Sequence, residues 1–177
     1  MSMYHFIALL RGINVSGQKK ILMADLRALF ESMGLLNVQT YIQSGNVLFH
    51  SEKEIASEYL SEAIEKQYGW HVPVLLTTAG ELQTILDRCP FPKEKKEKSY
   101  FMILFKPPST KNTEITLSYN FPNEQFVITP QCVYYYCATG YGRAKMSGNF
   151  FEQKLQVTVT ARNFRTMIKL LEIANST

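Results

Sequence analysis

Arg11-Gly12-Ile13-Asn14-Val15-Ser16-Gly17-Gln18-Lys19-Lys20 and Gln43-Ser44-Gly45-Asn46 are the two stretches whose residue types best suit binding chemistry. In the first, Arg11 offers a planar cationic fork and Lys19 and Lys20 offer point charges, while Gly12 and Gly17 let main-chain amides approach a ligand closely. In the second, Gln43, Ser44 and Asn46 supply donors and acceptors together. Such a set recognises a phosphate, a carboxylate or a nucleobase. Gly12 to Lys19 resembles a phosphate-binding loop, but its Lys comes one position late, no Ser or Thr follows, and the next helix starts only near Met23. A nucleoside triphosphatase is therefore not expected. The competing structural reading has Gln43 and Asn46 bracing the glycine loop by hydrogen bonds and binding nothing.

Other constellations carry less chemistry. Ser44 has no base at a recognisable spacing, so no catalytic residue is assigned. His5 and His50 fall on strands expected to be neighbours toward the opposite end of the sheet. Two imidazoles without a third ligand make a poor metal site, and no metal or cofactor is assigned. Thr139-Gly140-Tyr141-Gly142-Arg143-Ala144-Lys145 is a glycine-rich basic loop compatible with anions or nucleic acid, although a plain strand-to-helix connection explains it as well. Tyr134, Tyr135 and Tyr136 could stack on bases, or simply pack.

The elements that must position these groups follow from periodicity. Residues 4 to 10 read as a buried strand, and Leu26, Leu29, Phe30 and Met33 mark one face of a helix that Gly34 stops. Residues 37 to 43 and 46 to 50 read as a hairpin with only Ser44-Gly45 between the strands. Ile55, Tyr59, Ala63 and Ile64 mark a second helix ending before Gly69. Residues 72 to 77 form a further strand, and Pro73 suggests an edge position. This order is β-α-β-β-α-β, the ferredoxin-like motif with strand order 4-1-3-2. Its strand directions gather the end of the first strand at Arg11-Gly12, the tip at Gln43 to Asn46 and Gly69-Trp70-His71 at one end of the sheet.

Thr78-Ala79-Gly80-Glu81 has the spacing of a capping box and opens an extra helix over Leu82, Ile85, Leu86 and Cys89. Lys93 to Lys98 is a charged connector. The pattern then begins again: a strand at 99 to 106, a weak helix to Tyr119, a hairpin of 124 to 129 and 132 to 138, a helix at 147 to 154, a strand at 155 to 160 and a helix at 161 to 174. Thr78-Ala79 aligns with Thr160-Ala161, and Leu82, Ile85, Leu86 and Cys89 align with Phe164, Met167, Ile168 and Leu171. The expectation is an α+β tandem duplication of two ferredoxin-like (β-α-β-β-α-β) subdomains, each followed by an extra helix: residues 1–92, a connector at 93–98, and residues 99–177.

Composition sets the outer bounds. With 46% hydrophobic and 19% charged residues in 177, the chain can bury a core without a staple. A net charge of +4 and a pI near 8.9 are only mildly basic. Cys89, Cys132 and Cys137 lack Cys-x-x-Cys spacing, which points to a reducing, cytoplasmic setting. Met1-Ser2-Met3-Tyr4-His5 has no signal-peptide features, and no apolar run is long enough to span a membrane.

Arg11-Gly12-Ile13-Asn14-Val15, Tyr41-Ile42-Gln43-Ser44-Gly45-Asn46-Val47, Gly142-Arg143-Ala144-Lys145 and Thr160-Ala161-Arg162-Asn163-Phe164, in that order, resemble the bacterial family called domain of unknown function 1697. The resemblance covers roughly residues 4 to 174. It implies two ferredoxin-like subdomains and no particular activity. Ser16 stands where the family more often has Gly, and Phe164 where it often has Trp.

The leading functional expectation is a cytoplasmic binding protein holding a small anionic ligand, a nucleotide or phosphorylated metabolite, through Arg11, Gly12, Asn14, Lys19, Lys20, Gln43, Ser44 and Asn46. The alternatives are RNA or single-stranded DNA binding, and an interaction or self-association module working through the edge near Pro73 or the extra helices.

Overall fold

A computed structural model describes residues 3–176. Met1, Ser2 and Thr177 lie outside the described residues, as does the part of the amino-terminal reading that rests on the first two. The described chain is α+β, with two four-stranded antiparallel sheets and seven helices. It divides into two compact units. The first runs to Gln83 and takes back the chain from Lys169; the second is Thr84–Ile168.

The first unit contains β1 (Tyr4–Leu10), α1 (Met23–Ser32), β2 (Leu36–Tyr41), β3 (Asn46–Ser51), α2 (Ser57–Tyr68) and β4 (Val74–Thr77), in sheet order β2-β3-β1-β4. Side chains alternate across a strand, so Ala8 and Leu10 of β1 and Val47 and Phe49 of β3 share one face. They bury it against Leu26 and Phe30 of α1 and Leu60 and Ile64 of α2. The remaining face carries His5, Ile7 and Leu9 with Leu48 and His50. Every residue of β3 is buried, as befits an interior strand covered on both sides. Both helices end at glycines in the left-handed region, Gly34 after α1 and Gly69 after α2, as the sequence predicts.

The β2–β3 connection differs from the expected two-residue turn. Tyr41 pairs directly with Asn46, so the turn is Ile42–Gly45, with Ile42 at φ +48° and Gly45 at φ +85°. Asn46 explains the longer turn: its buried amide donates to the Tyr41 carbonyl at 2.8 Å and to Ser44 Oγ at 3.0 Å, closing the loop from inside. Farther along, β2 shifts register between Leu36 and Gln39, with Asn37 at φ +50°. An irregularity of this kind re-aims a side chain, and Asn tolerates that conformation better than most residues.

Thr78 and Glu81 form the predicted capping box at the start of α3 (Ala79–Asp87). Glu81 Oε2 accepts from the Thr78 amide at 2.9 Å, and Thr78 Oγ1 accepts from the Glu81 amide at 3.3 Å. The charged connector includes one helical turn, α4 (Lys93–Lys96).

The second unit holds β5 (Tyr100–Leu104), α5 (Thr110–Leu117), β6 (Glu124–Ile128), β7 (Cys132–Cys137), a 3-10 turn at Tyr141–Arg143, α6 (Gly148–Leu155) and β8 (Val159–Asn163). Its sheet order, β6-β7-β5-β8, reproduces that of the first. α7 (Phe164–Asn175) closes the chain.

Two expectations shift here. The strand expected at 155 to 160 is β8 at Val159–Asn163, because Gln156 caps α6 at φ +56° and Glu152 Oε2 accepts from the Val159 amide at 2.9 Å, which keeps 156 to 158 out of the sheet. The proposed residue alignment fails at its start for the same reason, since Ala79 opens a helix whereas Ala161 lies inside β8. By position, the counterpart of Thr78 is Asn163, whose Oδ1 accepts from the Thr166 amide at 2.9 Å at the start of α7.

Candidate functional site

The end of the first sheet is assembled by main-chain bonds from segments far apart in sequence. The Leu10 amide donates to the Gly45 carbonyl at 2.8 Å, and the Arg11 amide donates to the Pro73 carbonyl at 2.9 Å. The Arg11–Lys20 loop, the Ile42–Gly45 turn and the chain leading into β4 therefore meet at the end of β1.

The loop itself is a miniature hairpin. Val15 and Gln18 bridge, the Gln18 amide donates to the Val15 carbonyl at 2.9 Å, and Ser16 and Gly17 both have positive φ. Two central residues with positive φ define a tight primed turn, a conformation unlike a phosphate-binding loop wrapping a helix amino terminus. Gly12 has φ +73° and open space around it, so its role is conformational. Gly45 is different: a Cβ there would stand 2.7 Å from Ile13 Cδ1 and 2.8 Å from Leu10 Cβ. Only glycine lets the turn close onto the loop.

Asn14 locks the arrangement. Its Nδ2 donates to the Ile21 carbonyl at 2.9 Å and to the Gln43 carbonyl at 2.8 Å, and its Oδ1 accepts from the Ile21 amide at 2.9 Å. Lys19 Nζ donates to the His71 carbonyl at 2.6 Å, tying the loop to the chain before β4. The amides of Asn14 and Asn46 are thus engaged by the protein's own backbone, and Ser44 accepts from Asn46. Lys20 and the Gln43 side chain are exposed, and Arg11 is half-buried. The bracing of the glycine loop foreseen for Gln43 and Asn46 is carried by Asn14, with Gln43 contributing its carbonyl, while the Asn46 amide closes its own turn on Tyr41 and Ser44. Nothing in the spacing of Asn14 could show this, because its partner lies in another hairpin.

The connection from α2 to β4 adds two donors. Tyr68 Oη and Trp70 Nε1 are shielded from solvent and make no hydrogen bond, and their rings stack at 6.1 Å. Burial, with the Asp25 carboxylate as a lesser influence, pushes the Tyr68 hydroxyl above its usual pKa.

In the second unit the basic loop is anchored by a residue the sequence did not single out. Glu124, on an edge strand, is buried and accepts from Tyr135 Oη at 2.7 Å, from the Lys145 amide at 2.6 Å and from the Met146 amide at 2.9 Å. Burial pulls its pKa upward, but these bonds and the Lys145 charge outweigh it and leave the carboxyl below its ordinary value. Tyr141 stacks on Tyr100 at 3.9 Å, and its hydroxyl accepts from the Gly148 amide at 3.2 Å. Arg143 and Lys145 remain exposed. Arg162 does not join them: it is buried, donates through Nη1 to Thr160 Oγ1 and the Ala161 carbonyl at 2.9 Å each, and burial lowers its pKa to about 10. Tyr134 and Tyr135 are buried too, with Tyr134 Oη on the Ile85 carbonyl at 2.7 Å. Neither can stack on a base. Tyr136 packs edge-on to Phe91 with Lys95 Nζ 5.5 Å above its ring.

The family model described as "Protein of unknown function (DUF1697)" matches residues 3–134, which contain both the Arg11-Gly12-Ile13-Asn14-Val15 loop and the Gln43-Ser44-Gly45-Asn46 turn. The chain belongs to the DUF1697 family. Among solved structures, the chain is similar to the conserved bacterial protein SP0830 from Streptococcus pneumoniae at 21% identity and a TM-score of 0.68, covering 98% of this chain and 99% of that one. At that identity the likeness speaks for the fold. No curated protein matches. Two of the four motifs lie beyond residue 134, so the DUF1697 match rests on the first unit and on the chain from β5 to the start of β7.

Among the described residues no helix is long and apolar enough to cross a membrane.

Proposed function

We propose that this DUF1697 protein binds a small anionic ligand, a nucleotide or phosphorylated metabolite, at the end of the first sheet. The carrying observation is the Asn14 clamp, which fixes the Arg11 loop to the Gln43 turn and so holds the Arg11 fork, the exposed Lys20 ammonium and the Gln43 amide on preorganised backbone. Preorganised donors lose little entropy on binding, which is where affinity for small anions is usually won. Lys19 divides its charge between this end and the His71 carbonyl, while Ser44 and Asn46 shape the turn.

Trp70 is the only tryptophan in the chain, so its fluorescence reports on this end of the sheet alone. Titration of a nucleotide and sugar-phosphate panel is expected to change Trp70 emission saturably in the native protein, with affinity weakened at least tenfold in Arg11→Ala and Lys20→Ala. Identical failure of all three proteins to bind any member, by fluorescence and by calorimetry, defeats the reading. It would leave the Asn14 clamp as a brace.

The architecture supports a wider reading as two ferredoxin-like repeats, residues 1–92 and 99–177 joined by 93–98, each closed by an extra helix. Its support is the identical antiparallel strand order in both sheets and the matching caps at Thr78 and Asn163. A cytoplasmic setting is supported by three free thiols.

A further inference from the structure

Two exposed positions at the end of the first sheet carry aliphatic residues where local physics favours others. Ile42 opens the Ile42–Gly45 turn at φ +48° and is 47% exposed. A branched side chain is strained in the left-handed region, which Gly or Asn enters more readily. Leu22 is the N-cap of α1, makes no side-chain cap bond and is 67% exposed. Ser, Thr, Asp or Asn there would satisfy an orphan amide. The start of α1 does not need Leu22 as an apolar anchor, because Ile21 and Leu26, at the two staple positions, are both in the core.

The Asn14 clamp brings these two residues together. Its Nδ2 donates to the carbonyl of Ile21, the residue before Leu22, at 2.9 Å, and to that of Gln43, the residue after Ile42, at 2.8 Å. Val15, next to Asn14 itself, is 59% exposed. Three exposed aliphatic residues therefore adjoin the clamp, on the segments that carry Arg11, Lys19, Lys20 and Gln43. We propose that the ligand at this end is a nucleotide, with its phosphate on Arg11 and Lys20 and its base resting on Ile42, Leu22 and Val15. The proposal rests on the anion-binding reading above and adds the part of the ligand that distinguishes a nucleotide from a sugar phosphate.

Small-molecule sites are lined mostly by apolar side chains, with a few polar groups that fix orientation. A phosphate alone needs only the cations and amides, and the aliphatic residues would then be a cost without a return. A base has two apolar faces, and covering one with aliphatic carbon removes both surfaces from water. Its polar edge needs a partner with both a donor and an acceptor, which the exposed Gln43 amide supplies. The neighbouring positive charges match the phosphate at the other end of the same molecule. Local rules of stability are broken at functional sites more than elsewhere, and Ile42 and Leu22 each break one.

The test is calorimetric titration of the full chain with adenosine monophosphate and with ribose phosphate, in native protein, Ile42→Asn and Leu22→Ser. Native protein is expected to hold the nucleotide more tightly than ribose phosphate by about tenfold or more, the scale on which apolar contacts discriminate. Each variant should lose most of that preference and leave ribose phosphate binding unchanged. Each should also raise the urea midpoint, because Asn fits the left-handed region and Ser caps α1, so a weaker affinity is not a sign of unfolding. Equal affinity of native protein for the two probes overturns the proposal and leaves the anion-binding reading standing, whereas binding of neither removes both. A nucleotide preference that survives in both variants overturns it, as does a midpoint lowered in Ile42→Asn, which would make Ile42 a part of the scaffold. Self-association of the native protein in sedimentation, abolished by Ile42→Asn, also overturns it, since a second copy then covers these residues.

Discussion

The side-chain amide of Asn14 donates to the main-chain carbonyl of Gln43 at 2.8 Å, joining a loop that follows β1 to a turn between β2 and β3. The same side chain closes two further bonds with Ile21. One side chain therefore satisfies three polar groups on two residues, Ile21 and Gln43, and it does so at φ +54°, a conformation Asn adopts more readily than most.

Asn14→Ala is expected to lower stability by about 1–3 kcal/mol, for the loss of three hydrogen bonds of about 0.5–1.5 kcal/mol each to partly exposed main-chain groups. Arg11→Ala leaves the main-chain bond from the Arg11 amide to Pro73 in place, so its effect reads the contribution of the Arg11 side chain alone. Urea unfolding of the two variants separates the clamp from the groups it carries. Equal losses in both would show that Arg11 is part of the scaffold.

Gly45→Ala should be among the most damaging small substitutions in the first unit. The added methyl meets Ile13 and Leu10 at distances well inside contact, and the backbone is at φ +85°. A loss above about 2 kcal/mol is expected. Ile13→Val removes the Cδ1 atom that stands closest, so the double variant should regain part of the loss relative to the sum of the single changes. Strict additivity in chemical denaturation would locate the cost in φ alone.

Glu124 gives the second unit an acid limb. Its folded pKa lies below the ordinary glutamate value of 4.5. A carboxylate with a depressed folded pKa contributes stability above its unfolded pKa and loses it as pH falls through the folded value. Stability should therefore drop below about pH 4.5, and Glu124→Gln should flatten that limb while costing about 1–3 kcal/mol at neutral pH through weakened bonds to the Lys145 and Met146 amides. Denaturation midpoints between pH 3 and pH 7 test both parts; an unchanged acid limb in the variant would assign it to other carboxylates.

Thr78→Ala and Asn163→Ala should each cost about 1 kcal/mol, the usual scale for removing an N-cap. The caps open α3 and α7, which occupy the same position in the two halves of the chain. Thermal melts in which only Thr78→Ala lowers the midpoint would break that correspondence.

Much of the fold was written in local patterns. The apolar run of β1, the i, i+3, i+4 spacing of Leu26, Leu29 and Phe30, the glycine stops at Gly34 and Gly69 and the Thr78–Glu81 box each depend on residues within one or two turns of each other, so the chain displays them without its tertiary partners. The four-residue turn at Ile42–Gly45, the late start of β8 and the register shift at Asn37 do not belong to that class. Each depends on a side chain reaching a main-chain or ring atom that local periodicity does not encode: Asn46 on Tyr41, Glu152 on Val159, Asn37 on His50.

The candidate sites divide the same way. The residue types at Arg11, Lys19, Lys20 and Gln43 and their gathering at one end of the sheet followed from the sequence, because strand order dictates which loops share an end. That Asn14 is the clamp, that Tyr134, Tyr135 and Arg162 are buried rather than offered to a ligand, and that Glu124 holds the basic loop were decided only by tertiary packing. Burial and hydrogen-bond partners are properties of what surrounds a side chain, and for these residues the surroundings come from segments distant in the chain.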